Sequence, residues 1–141
     1  MKIEENGVTA TIFTELRKNG PFVYYKENDI NIALTNTLYN VVIYDDFSQP
    51  IGMARIVGDN RIAFFIKDFV VIPEKQRQGI GTLIMHYLFN YISKHACENA
   101  YIGLMSTPGK EGFYEKFGFI RRPNEQYGAG MVLYWNKANI F

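Results

Sequence analysis

Residues 9–18 read as a short helix, and Asn19-Gly20-Pro21 directly after them is a strong stop signal. A second helix is predicted over residues 29–38, where Ile30, Ala33, Leu34 and Leu38 keep helical spacing and Asn28 or Asp29 can cap the first turn. After Asn40 the pattern changes to that of strands. Residues 41–44 and 51–57 read as an antiparallel hairpin with a turn through 45–50, and Gly58-Asp59-Asn60 turns the chain into a longer β-rich run over 62–72. That run contains a charged pair, Lys67-Asp68, which must either face solvent or be placed for a purpose. It ends at Pro73, which offers no N–H to a ladder. From Gly79 the period becomes 3.6: Ile80, Leu83, Ile84, Tyr87, Leu88, Tyr91 and Ile92 form one apolar stripe, the clearest helix in the chain. Residues 100–105 then read as a strand, 110–117 as a short helix closed by Gly118, and 130–135 as a last strand. This order predicts an α/β or α+β domain with a mixed central sheet flanked by helices.

With 141 residues, 48% of them hydrophobic, the chain is expected to form one domain over 1–141 with a core that needs no disulfide or metal. Fifteen Lys and Arg against 14 Asp and Glu leave a net charge of +1, which gives no reason to expect nucleic acid or an anionic membrane as partner. Any anion site must be local. The single Cys97 has no disulfide partner, the opening Met-Lys-Ile-Glu-Glu lacks the features of a secretion signal, and no apolar run reaches the roughly 18–20 residues of a membrane span. A soluble cytoplasmic protein is expected. His86 and His95 lie nine apart with no Cys or His at ligand spacing, so no metal site is expected.

The most specific chemistry lies in residues 67–82, Lys-Asp-Phe-Val-Val-Ile-Pro-Glu-Lys-Gln-Arg-Gln-Gly-Ile-Gly-Thr. This segment joins a strand to the clearest helix, and a helix N-terminus with its first N–H groups unpaired is a ready anion site. Gly79 and Gly81 let the backbone approach phosphate oxygens, while Arg77 and the Gln side chains add charge and hydrogen bonds. A Walker loop would need Lys-Ser/Thr after its second Gly, and a Rossmann loop would need G-x-G-x-x-G directly after the strand; neither is present.

The string Gln76-Arg77-Gln78-Gly79-Ile80-Gly81, preceded by a strand ending in Val-Ile-Pro, resembles the Gln/Arg-x-x-Gly-x-Gly/Ala motif of the GNAT superfamily of N-acetyltransferases. Downstream, Gly112-Phe113-Tyr114-Glu115-Lys116-Phe117-Gly118-Phe119 resembles that superfamily's last helix and following strand, in the expected order and separation. The resemblance covers residues 41–135. It implies the GNAT fold, with the central sheet splayed after Asp68 and before Tyr101 and acetyl-CoA wedged into the gap. Backbone groups of Phe69, Val70 and Val71 would then bond the pantetheine amides. The pyrophosphate would rest on the N–H groups of Gln78, Gly79, Ile80, Gly81 and Thr82, with Gln76 and Arg77 beside them. Tyr114 would protonate the leaving thiolate; the alternative is a buried structural tyrosine. Asp68 stands where many members place an acid or a water-holding residue and is the candidate base for the amine; the alternative is a solvated or salt-bridged strand residue.

On this reading the chain transfers acetyl from acetyl-CoA to a primary amine, of a small molecule or, as a rival acceptor, of a protein. The competing class is a binding module of the same fold that senses acyl-CoA or only contributes an interaction surface. Retention of the 76–81 loop together with Tyr114 favours the enzyme. Dimerisation is common among GNAT relatives, and the apolar run 131–135 is the candidate surface for a homodimer. Arg121 and Arg122 are candidates to clamp an anionic substrate group, weighed against a solvated turn.

Overall fold

A computed structural model describes residues 1–138 and divides the chain into two compact units, Met1–Leu104 and Met105–Phe141. The first is built on a five-stranded sheet in simple sequential order. Its strands are β1 (Lys2–Glu5), β2 (Tyr39–Tyr44), β3 (Pro50–Gly58), β4 (Ala63–Val71) and β5 (Tyr101–Gly103). The first four pair antiparallel and β5 joins β4 in parallel, so the sheet is mixed as the sequence implies. Both hairpin turns are made by aspartates that accept from backbone N–H groups just ahead of them. Asp45 Oδ1 takes those of Phe47 and Gln49, both at 2.9 Å, and Asp59 Oδ1 takes those of Arg61, Ile62 and Ala63 at 2.8–3.0 Å.

One face of the sheet is covered by α1 (Ala10–Arg17) and α2 (Glu27–Thr35). Thr9 caps α1 by accepting from the Ile12 N–H, and Phe13 and Leu16 pack with Ile30 of α2 onto Val42, Met53 and Val70. The other face carries α3 (Ile80–His95). Gly52 lets that helix come close: a Cβ on it would stand 3.0 Å from Ile84 Cδ1 and 3.3 Å from Ile80 Cγ2. Ile84, Met85 and Leu88 are fully buried. At about 1.5–3 kcal/mol for each such side chain, this stripe is a main source of stability for the first unit.

In the second unit α4 (Glu111–Glu115) buries Tyr114, whose ring meets those of Phe113 and Phe119 edge-on. Its helix is shorter than the predicted 110–117. The predicted strand over 130–135 is not a strand: Met131, Val132, Leu133, Tyr134 and Trp135 are all exposed and no ladder includes them. Their composition suits a half-buried pleated surface, and without a pairing partner that preference has nothing to act on. Other corrections are smaller. The second helix runs over Glu27–Thr35 rather than 29–38, and Lys26, with no side-chain cap, stands at its start in place of Asn28 or Asp29. The opening residues add an edge strand, β1, that their short and mostly polar sequence does not announce.

Candidate active site

A break in the regularity of β4 shapes the site. Lys67 lies opposite Arg55, but Val70 lies opposite Met53, so the single residue Ala54 faces both Asp68 and Phe69. This is a β-bulge, with Asp68 in the left-handed region at φ +56°. It changes which way the strand faces. Ile66 lies opposite Ile56, on the α3 side, whereas Val70 lies opposite Met53, in the core under α1.

Asp68 is buried, its side chain 1% exposed, and both carboxylate oxygens are engaged. Oδ1 accepts from Nη1 of Arg17 and Oδ2 accepts from Nε of Arg55 at 2.5 Å. Each guanidinium makes a second bond: Arg17 Nη2 to the Val23 carbonyl at 2.7 Å, and Arg55 Nη1 to Thr37 Oγ1 at 3.2 Å. Two cations against one anion leave a surplus positive charge, which aromatic faces receive. The Arg17 guanidinium carbon lies 4.7 Å from the ring centres of both Phe13 and Phe22 and 5.4 Å from that of Tyr25, and Arg55 lies 5.9 Å from Phe13. Of the sequence alternatives for Asp68, this is the salt-bridged one.

Beside the bulge the pairing of β4 with β5 ends. The β4–β5 ladder consists of Ala63 with Tyr101, Phe64 with Ile102 and Phe65 with Gly103, and β4 continues to Val71 beyond it. The pairing therefore ends at Phe65, and Tyr101 stands inside the paired region rather than beyond it. This corrects the expected bounds of the splay, and its physical reason is that β5 ends at Gly103.

Phe69, Val70 and Val71 lie on the β4 segment past the ladder and lead into a 3-10 turn, Pro73–Lys75. Arg77 (φ +62°) and Gly79 (φ +84°) then bend the chain into α3 through left-handed backbone. The first intrahelical bond runs from Leu83 N to Gly79 O, so the N–H groups of Ile80, Gly81 and Thr82 precede the helical ladder. A Cβ on Gly79 would meet nothing within 4 Å. The two glutamines have local work: Gln76 Nε2 donates to the Val71 carbonyl at 3.0 Å and Gln78 Nε2 to the Glu74 carbonyl at 3.2 Å. Their side chains brace the loop, while Arg77 is exposed.

Tyr114 is buried, and burial pushes its phenol up to about 12. Arg121 pairs with Glu115 at 2.5 Å, and Arg122 donates to the Gly128 carbonyl at 2.6 Å, so each has an intramolecular partner. His95 closes α3 with Nδ1 2.9 Å from the Tyr91 carbonyl and its ring stacked on Tyr91. Among the described residues no group of His, Cys, Asp and Glu is arranged to hold a metal ion, and no helix is long and apolar enough to cross a membrane. The signal that sequence reasoning passed over is the pair Arg17 and Arg55, which stand 51 and 13 positions from Asp68 with nothing in the local pattern to mark them.

A mixed sheet whose β4 runs past its β5 partner into a glycine-containing loop and a helix N-terminus defines an α/β domain. A model of the acetyltransferase (GNAT) domain matches residues 17–134, and the chain belongs to the GNAT family. It is similar to the uncharacterized N-acetyltransferase ycf52 of Pyropia yezoensis, 32% identical over 98 residues that cover 67% of this chain and 55% of that one. The chloroplastic GCN5-related N-acetyltransferase 1 of Arabidopsis thaliana is 34% identical over 96 residues, 67% of this chain and 48% of that one. The chain thus spans about half the length of these curated relatives. Among solved structures, a protein of unknown function from meticillin-resistant Staphylococcus aureus, described as a probable acetyltransferase, superposes with a TM-score of 0.85 at 30% identity, covering 95% of this chain and 98% of its own.

Proposed function

We propose that the chain transfers acetyl from acetyl-CoA to a primary amine of a small molecule. The observation that carries this reading is the continuity of one surface: the β4 edge past Phe65, the 73–79 loop with its two left-handed residues, and the opening N–H groups of α3. The residues fit the donor. Strand groups of Phe69, Val70 and Val71 suit the pantetheine amides, and the N–H groups from Gln78 to Thr82, with the open space at Gly79, suit a pyrophosphate. Exposed Arg77 adds charge at that end.

In the transfer, the amine nitrogen forms a bond to the thioester carbonyl carbon, the carbon–sulfur bond breaks, and the amine proton leaves to solvent. Tyr114 is the proton donor for the departing thiolate, and its phenolate regains a proton from the solvent that takes up the amine's. A phenol raised to about 12 keeps its proton throughout the neutral range, so the donor is present at every working pH. Asp68 is not assigned the base role, because both its oxygens already receive guanidinium protons.

Isothermal titration of the protein with CoA and with acetyl-CoA tests the reading. Saturable binding that Gly81→Val abolishes supports it and opens a screen of amines for the acceptor. Folded protein that binds neither ligand rejects it in favour of an interaction module.

A further inference from the structure

We infer that Asp68, held by Arg17 and Arg55, is a positioning residue that fixes the β4 bulge and thereby seats the acetyl end of the donor. This rests on the acetyltransferase reading above and assigns a role to a cluster that the transfer chemistry does not otherwise use.

A bulge is one residue too many on one strand, and an ungapped register would remove it. Here that slip would place Val70 on the α3 face and strip α1 of its contact. The bulged residue is an aspartate at φ +56°, a left-handed conformation that is uncommon for non-glycine residues and that aspartate adopts more readily than most. The two guanidiniums hold the side chain of that residue in place. They reach Asp68 from different elements, Arg17 from α1 and Arg55 from β3, and each binds its own oxygen. The carboxylate is thus fixed in position and direction. Asp68 immediately precedes Phe69, Val70 and Val71 and follows the end of the β5 ladder, so the geometry of this one residue sets how the donor-facing part of β4 leaves the sheet.

The clamp also reaches the neighbouring loop. Through the Val23 carbonyl and the rings of Phe22 and Tyr25, Arg17 ties residues 22–25 to the same carboxylate. One guanidinium therefore holds the bulge on one side and the exposed aromatic loop on the other.

The test compares acetyl-CoA and CoA by isothermal titration in the full chain, for wild type, Asp68→Asn, Arg55→Met and Arg17→Lys. If the clamp seats the acetyl group, the variants bind acetyl-CoA at least about fivefold more weakly, while CoA, held through pantetheine and phosphates, changes by less than about twofold; one net hydrogen bond is of this size. Arg17→Lys keeps a charge for Asp68 but lacks the fork that also reaches Val23, so it gives a smaller loss of the same sign and carries the test if Asp68→Asn does not fold. Unchanged affinity for acetyl-CoA, as expected if Asp68 acted only on the amine, overturns the inference. So does an equal loss for both ligands, which marks general damage. Wild type that binds neither ligand overturns the acetyltransferase reading itself, and the inference with it.

Discussion

Replacing Gly79 separates what the loop costs the fold from what it gives the ligand. Gly79 sits at φ +84°, and a Cβ there would meet no protein atom within 4 Å. Gly79→Ala therefore introduces no clash, and its whole penalty is conformational. An L-residue in left-handed backbone costs about 1–2 kcal/mol. For a chain of this length that corresponds to a fall in melting temperature of roughly 3–8 °C. Gly79→Asn should recover part of that loss, because asparagine tolerates the left-handed region better than alanine does. Binding behaves differently if the open space is where the pyrophosphate rests. Both side chains then occupy it, and each should weaken CoA by the worth of one hydrogen bond to a charged group, about 1.5–3 kcal/mol, a factor of roughly 10 to 150. Thermal melts and CoA titrations of the three proteins decide the matter. Recovery of stability in Gly79→Asn without recovery of binding places the ligand at Gly79. Wild-type CoA affinity in both variants refutes the assignment, and an unchanged melting temperature in Gly79→Ala refutes the left-handed backbone.

Tyr114→Phe should lower turnover at least tenfold and leave the CoA dissociation constant within about twofold, since it removes a proton and little volume; unchanged turnover in a thiol-release assay would remove Tyr114 from the mechanism. Because burial raises the phenol to about 12, its ionisation contributes no falling limb to the pH–rate profile below about pH 11. The sign for stability follows from the same shift: the unfolded phenol ionises near its ordinary value of about 10, so this contribution is intact below pH 10 and is lost as pH rises towards 12, a loss that Tyr114→Phe should abolish in alkaline unfolding curves. Gly52→Val should destabilise by about 1–3 kcal/mol through overpacking, since even its Cβ would stand 3.0 Å from Ile84 Cδ1 and 3.2 Å from the Val70 carbonyl; a chemical denaturation midpoint equal to wild type would contradict the close approach of α3. Asn40→Leu should cost about 1–3 kcal/mol in the same assay, because Asn40 is buried and its Oδ1 accepts the Val8 N–H at 3.0 Å, a donor the variant leaves unmatched.

The elements that the sequence announces are those whose cause is local. The stripe from Ile80 to Ile92 buries as the 3.6 period predicts, and the turns at 45–50 and 58–60 fall where they are expected, closed by Asp45 and Asp59. The loop from Gln76 to Gly81 is legible for the same reason: its glycines and the helix it opens lie within a few residues of each other. Elements whose cause is a distant partner are read less well. β1 is in place as the partner of β2, and residues 130–135, strand-like in composition, form no strand.

The bulge shows most sharply what local pattern can and cannot carry. Phe64, Ile66, Asp68 and Val70 are all buried, and their alternation reads as one continuous inner face of a regular strand. In the fold they do not share a face: the strand reverses sides at Asp68, so that Ile66 serves the α3 core and Val70 the α1 core. A period of two is silent about an extra residue that restores the same alternation on the opposite side. What the sequence does show is the anomaly, a carboxylate at an inward position of an apolar run, and a buried charge must be paired. Its partners lie on α1 and β3, so only the tertiary structure reveals that two arginines meet there. The carboxylate that looked suited to chemistry has both its oxygens engaged by those arginines, at the one residue where the strand changes sides.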